Sequence, residues 1–215
     1  HGYADINLFD SSAYIEAPLG DDFSIAVGGR RSYIDAILGL VVPDDGPIGL
    51  KAAPRFYDAQ ALLSWHPNPT QRASIFFLTS GDKMEMLFDN PRDLDPQFTA
   101  SDLAASLTQH HLAFYHDWHP TERLSNSLRI GGVIADQSFS FGPEQRLNFA
   151  VSQVFVRDAF TAKAHDMLDI SVGVDGTLSR SKFDVFFISP PKEGEFSGYD
   201  DSENLLYAAD EVTTF

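Results

Sequence analysis

LDISVGVDGTLS, residues 168–179, alternates almost without interruption. Leu168, Ile170, Val172, Val174 and Leu178 share one parity; Asp169, Ser171, Gly173, Asp175, Thr177 and Ser179 share the other. Period 2 is the signature of a strand, whose successive side chains point to opposite faces. One face is apolar and the other small and polar. The pattern continues to Phe187, well beyond the ~5–6 residues common in globular sheets.

The same alternation recurs along the chain. In FSIAVGGRRSYID, 23–35, the apolar residues Phe23, Ile25 and Val27 alternate with Ser24, Ala26 and Gly28 before a charged, aromatic end. About nine strands are expected: 2–9, 11–18, 23–37, 55–66, 71–81, 106–118, 124–137, 145–157 and 167–187. The first two become one if the chain merely bends at Asp10-Ser11. The sole helix-like stretch is SDLAASL, 101–107, with Ser101 as N-cap, and at most one turn is expected there.

The connections alternate in character. PLGDD (18–22), HPNPTQ (66–71), HPTERL (119–124) and RDAFTAKAHD (157–166) read as compact turns. Segments 39–54, 81–101 and 138–145 and the tail from Ser189 read as longer loops. In an up-and-down meander every second connection lies at the same end. One end therefore carries tight turns and the other carries loops. SWHPNPTQRASIF (64–76) also echoes DWHPTERLSNSL (117–128), so Trp65 and Trp118, the only tryptophans, hold equivalent stations at the turn end. Indoles suit a membrane interface, where the N–H stays wet.

Two architectures use long alternating strands. A soluble sandwich buries its apolar faces between two layers. A transmembrane barrel turns its apolar face to lipid and its polar face to the lumen. Strand length, small residues on the polar face and the turn–loop asymmetry favour the barrel. The expected fold is all-β: an antiparallel, up-and-down transmembrane β-barrel segment of about 8–10 strands over 1–188. Residues 189–215 form an extracellular loop or the start of the next strand. Thr213 and Glu211 interrupt the apolar alternation expected before a terminal aromatic such as Phe215.

Composition narrows the function. Fifteen Lys plus Arg face 31 Asp plus Glu, a formal net charge of −16, which opposes tracking of phosphates and excludes nucleic acid as the expected partner. With no cysteine, no disulfide framework or thiolate metal site is available. Eighteen Phe and seven Tyr coexist with a slightly negative mean hydropathy of −0.16, as expected of strands with two unlike faces. The longest apolar stretch, AILGLVV at 36–42, is far too short for a spanning helix. HGYADINLF has no basic start and no apolar region of a secretory signal. A start without Met suggests a chain processed or cut from something longer.

GGRRSYID, preceded by EAPLG and followed by PRFYDAQALLSWHPNPTQRASIFFLTSGD, resembles the beginning of the barrel in TonB-dependent outer-membrane receptors. The matching positions are Glu16, Pro18, Leu19 and Gly20, then Arg31, Ser32, Tyr33, Ile34 and Asp35. The resemblance covers most of 2–188, lacks the family's plug and TonB box, and corresponds to roughly the first third of its 22-strand barrel. It implies an outer-membrane location in a Gram-negative cell. It also implies import of a bulky nutrient (an iron chelate, cobalamin or a glycan) with TonB, a plug, the remaining barrel strands and outer-membrane lipid as partners. No enzymatic activity and no cofactor are implied. The alternatives are a soluble extracellular sandwich binding carbohydrate through Trp65 and Trp118, and a small closed outer-membrane barrel.

Candidate ligand-binding residues lie in the lumen or loops. Arg30 and Arg31 have opposite parity, so one faces inward and the other outward, near the rim. The inward one is expected to pair with acids of a plug or a neighbouring strand. HHLAFYHDWH, 110–119, sets His111, Tyr115 and Asp117 on one parity. His111 and Asp117, six residues apart, lie ~20 Å apart on an extended strand, too far to share a metal, so they read as lumen-lining groups. His116 falls on the apolar parity beside Phe114 and Trp118. DNPRDLDP (89–96) reads as a solvated acidic loop rather than a calcium site, and 190–211 as a loop that contacts substrate or moves freely. No nucleotide-loop or hydrolase motif is present.

Overall fold

The computed structural model describes residues 1–34, 36–37, 50–52, 54–88, 102–141, 145–188 and 205–214. They form one antiparallel sheet. Its strands are β1 (Gly2–Ile6), β2 (Asp10–Leu19), β3 (Phe23–Ser32), β4 (Leu50–Ala52), β5 (Arg55–Asn68), β6 (Gln71–Phe88), β7 (Asp102–Thr121), β8 (Leu124–Phe141), β9 (Gln145–His165), β10 (Leu168–Ile188) and β11 (Leu205–Thr214). Ten follow one another up and down in the order β1-β2-β3-β5-β6-β7-β8-β9-β10-β11, and β4 pairs with the far end of β6. Hydrogen bonds do not close the sheet: β1 and β11 are its edges.

The tight-turn end is real and tighter than expected. β5 and β6 are joined at Pro69-Thr70, β7 and β8 at Glu122-Arg123, and β9 and β10 at Asp166-Met167. Asn68 Oδ1 accepts the Thr70 N–H at 3.0 Å and its hydroxyl at 2.7 Å, a side chain standing in for a backbone turn. Gly20 takes a φ of +79° between β2 and β3, where a side chain would be strained. The Trp-His-Pro echo also has a cause. The His66 N–H donates to the Asp22 carbonyl at 2.7 Å, and the His119 N–H to the Thr70 carbonyl at 2.7 Å. Each histidine thus ties its strand to the preceding turn. The proline that follows has no N–H to continue the ladder, and the register shifts there.

The sheet has no core. Ala113 is the one buried apolar residue among those described, and no large side chain is fully buried. Ile170, Val172 and Val174 are 51%, 71% and 64% exposed. Among the described residues, no second layer packs on either face. The sandwich expectation finds no counterpart among the described strands.

Registers show that the apolar face is continuous from strand to strand. Val27 stands opposite Ala61, Ala61 opposite Phe77, Phe77 opposite Leu112, and Val154 opposite Leu178. This face forms a band in the turn-proximal half of the sheet. On β10 it runs from Leu168 to Leu178, about 33 Å along the strand at ~3.3 Å per residue. Beyond the band the two faces exchange character. Lys83, Ser106, Ser138, Asn148 and Asp184 continue the formerly apolar face, while Met84, Ala105, Phe139, Leu147 and Val185 continue the polar one.

That exchange explains most corrections to the strand limits. SFSF at 138–141 belongs to β8 rather than to a loop, so only 142–144 separate β8 from β9. The alternation persists there with its faces reversed. The helical turn expected at 101–107 is instead strand from Asp102 on, with Leu103, Ala105 and Leu107 on one side; residue 101 lies outside the described residues. The turn expected at 157–166 shrinks to two residues because β9 runs on to His165. Asp10-Ser11 is not a bend in one strand: β1 and β2 pair as a hairpin, Gly2 opposite Ile15. β3 stops at Ser32 rather than 37. Tyr33 is held by the β1–β2 connection, its N–H on the Phe9 carbonyl at 3.0 Å and its hydroxyl on the Asn7 carbonyl, and the chain turns away. DNPRDLDP and 189–204 lie outside the described residues, whereas Leu205–Thr214 pair with β10 as the next strand.

Candidate functional site

The face opposite the apolar band is lined by small and polar residues joined across strands. Ser64 and Ser74 share a hydrogen bond of 3.0 Å, Gln109 donates to Ser80 at 3.0 Å, and Thr161 meets Ser171 at 2.8 Å. These pairs sit directly opposite one another in the ladder, the arrangement in which cross-strand partners stabilise a sheet.

Charged side chains occupy the same face. Arg30 is the arginine of its pair on the polar face: Nε donates to Asp58 Oδ2 at 2.8 Å, and the guanidinium lies 4.8 Å from the Phe56 ring centroid. Its partner is thus a neighbouring strand, one of the two expected. Arg31 falls on the apolar parity, one residue from the end of β3 and opposite Tyr57, where the band gives way to polar residues. The structure brings Tyr115 and Asp117 together through a residue that the sequence did not single out. Arg129 donates from Nη2 to Asp117 Oδ1 at 2.6 Å, from Nη1 to the Leu128 carbonyl at 2.9 Å, and stands over the Tyr115 ring at 5.4 Å. His111 is apart from them and reaches Gln109 at 3.3 Å.

Arg157 was also missed, because its segment reads as a turn. It donates from Nε to Asp175 Oδ2 at 2.7 Å and stands opposite Arg129 in the ladder. Directly opposed like charges repel; here each has its own carboxylate. The only sequence signal was parity, since Arg129, Arg157 and Asp175 all fall on the polar set. Removing Arg129 leaves Asp117 short of a donor. Arg129→Met is expected to cost about 1–3 kcal/mol. Adding Asp117→Asn should recover part of that loss in a double-mutant cycle of unfolding free energies.

Comparison with protein-family models, curated proteins and solved structures finds no match.

Trp65 and Trp118 lie on the apolar face near the turns, Trp65 stacked on Phe23 with ring centroids 6.2 Å apart. His116, on that same face, stacks on Phe114 at 6.4 Å. Beyond the band the same face carries ion pairs. Arg180 and Lys182 both reach Glu211, and Arg146 lies 3.8 Å from Asp184. The hydrogen bond from Arg180, foremost, holds the Glu211 carboxyl below its usual range. The pair is therefore complete above the ordinary carboxylate range and is lost as pH falls through the lowered value. Among the described residues, no three His, Asp or Glu side chains gather closely enough to hold a metal ion.

Proposed function

We propose that this chain is a wall of a transmembrane β-barrel in a Gram-negative outer membrane, of the TonB-dependent receptor type, admitting a bulky nutrient such as an iron chelate, cobalamin or a glycan. One observation carries the reading. Among the described residues, the sheet presents a continuous apolar band that none of the other described residues covers. In water, each such Val, Leu, Ile or Phe forgoes about 1.5–3 kcal/mol of burial. Hydrocarbon removes that deficit. Strands tilted by 35–45° would bring the β10 stretch to about 25 Å in height, the apolar height of outer-membrane barrels.

The open edges at β1 and β11 support a larger closed structure, since each unpaired backbone group in lipid costs several kcal/mol. Further strands, from the same or another chain, are the partners that the physics requires. The plug, TonB and the kind of cargo rest on the resemblance of GGRRSYID and its neighbours. The barrel supplies a conduit and docking surfaces, and no covalent step is needed.

Tryptophan fluorescence tests the membrane assignment. With the protein in lipid vesicles, bromines placed shallow on the acyl chains should quench Trp65 and Trp118 more strongly than bromines near the bilayer centre. Full solubility of the protein without detergent, with both indoles open to aqueous iodide, would refute it.

A further inference from the structure

The apolar band carries one polar breach. Asn126 and Asp158 fall on its parity, Asn126 opposite Trp118 and Phe160, and Asp158 opposite Leu128 and Val174. They meet diagonally across β8 and β9, where Asn126 Nδ2 donates to Asp158 Oδ1 at 2.6 Å and to the Ala159 carbonyl at 3.3 Å. The amide supplies a hydrogen bond but no charge. Asp158 is the one acid among the described strand residues of this turn-proximal half of the face, and no lysine or arginine shares it. Arg157, the next residue in sequence, lies on the other face with Asp175. His116 stands in the same row as Asp158, but Leu128 separates them, and the imidazole lies against Phe114. Trp118 and Phe160 are exposed on either side of Asn126.

We propose that this breach receives the ammonium of an amine-bearing phospholipid, of the phosphatidylethanolamine kind, in the leaflet at the turn end. The inference rests on the membrane reading and adds a lipid site to it. A lone carboxylate turned toward hydrocarbon is costly and calls for a cation, and the described strand residues of this half of the face supply no lysine or arginine. Trp118 sets the depth: an indole suits the headgroup level, and Asn126 lies directly across from it. A primary ammonium there has three N–H donors, enough for the carboxylate and the Asn126 side-chain carbonyl. It can also rest over the ring face of Trp118 or Phe160. A choline headgroup carries the same positive charge but has no N–H to donate.

Acyl-chain bromines report which lipid sits at the patch. The protein is placed in vesicles of equal parts phosphatidylcholine and phosphatidylethanolamine, with the bromines carried by one lipid or by the other, so that headgroup composition never changes. In Trp65→Phe, Trp118 is the sole indole. Brominated phosphatidylethanolamine is expected to quench it with an apparent affinity about fivefold above that of brominated phosphatidylcholine, the effect of one charge at a membrane surface. Adding Asp158→Asn keeps the size of the side chain and should bring the two lipids to equality. In Trp118→Phe, Trp65 reports from β5, on the other side of β6 and β7, and should show no preference. Equal quenching of Trp118 by the two lipids, or a preference that survives Asp158→Asn, overturns the inference. So does a Trp118 that neither lipid quenches while Trp65 is quenched by both, since protein would then cover the patch. Flotation with the vesicles is read separately. A protein that floats without the preference refutes the lipid site alone; one that does not float refutes the membrane reading.

Discussion

On the proposed membrane reading, Val172→Arg is expected to destabilise the protein in phospholipid vesicles by about 2–4 kcal/mol, the cost of a cation on the lipid side of a barrel strand near mid-depth. Val172 lies in the middle of the β10 band, opposite Phe160, and is 71% exposed. Its neighbour Ser171 points to the other face, where it bonds Thr161. Ser171→Arg should therefore cost no more than about 1 kcal/mol, the worth of the lost hydrogen bond. Unfolding in guanidinium chloride from vesicles measures both. The contrast between adjacent residues is the test: chain propensity and strand position barely differ, and only the medium on each side does. If Val172→Arg were neutral while Ser171→Arg were severe, the faces would be assigned the wrong way round.

Gly173→Val should be as damaging for a different reason. A Cβ at Gly173 would lie 2.6 Å from the Asp158 carbonyl oxygen and 3.2 Å from the Ala159 Cα. These are backbone atoms of β9, which cannot move aside without opening the ladder. Overpacking of this kind costs about 1–3 kcal/mol, occasionally more. Gly131 is tight as well, with Phe155 Cζ at 2.5 Å and the Leu112 carbonyl oxygen at 2.9 Å from the same construction. Gly29→Ala is the control. Its Cβ meets nothing closer than 3.5 Å, and replacing a strand glycine there should be neutral or stabilising by roughly 0.5 kcal/mol. Melting temperatures of the two variants rank the effects directly.

How far the fold could be read depended on where the two faces keep their character. Within the band, parity was sufficient. Phe23, Ile25 and Val27, and Leu168 through Leu178, lie on one face as their spacing predicts. Past the band, Met84, Leu107 and Phe139 appear on the opposite parity, and strands read as if they ended. The site was legible by residue and illegible by partner. Arg30, Tyr115 and Asp117 were visible as groups on the polar parity. That Asp58 receives Arg30, and Arg129 gathers the other two, required the register of strands whose offsets are set by turn length.

By itself, the sequence determined that this protein is built from long strands with unlike faces, short turns at one end and a net negative charge. Each of these is local chemistry, carried by spacing of two residues and by composition. It took the three-dimensional structure to show that the faces change places beyond the apolar band, and that Arg129 and Arg157 stand side by side with a carboxylate each. Those facts depend on which residue of one strand lies opposite which residue of the next, and a one-residue slip in that register would reverse every one of them.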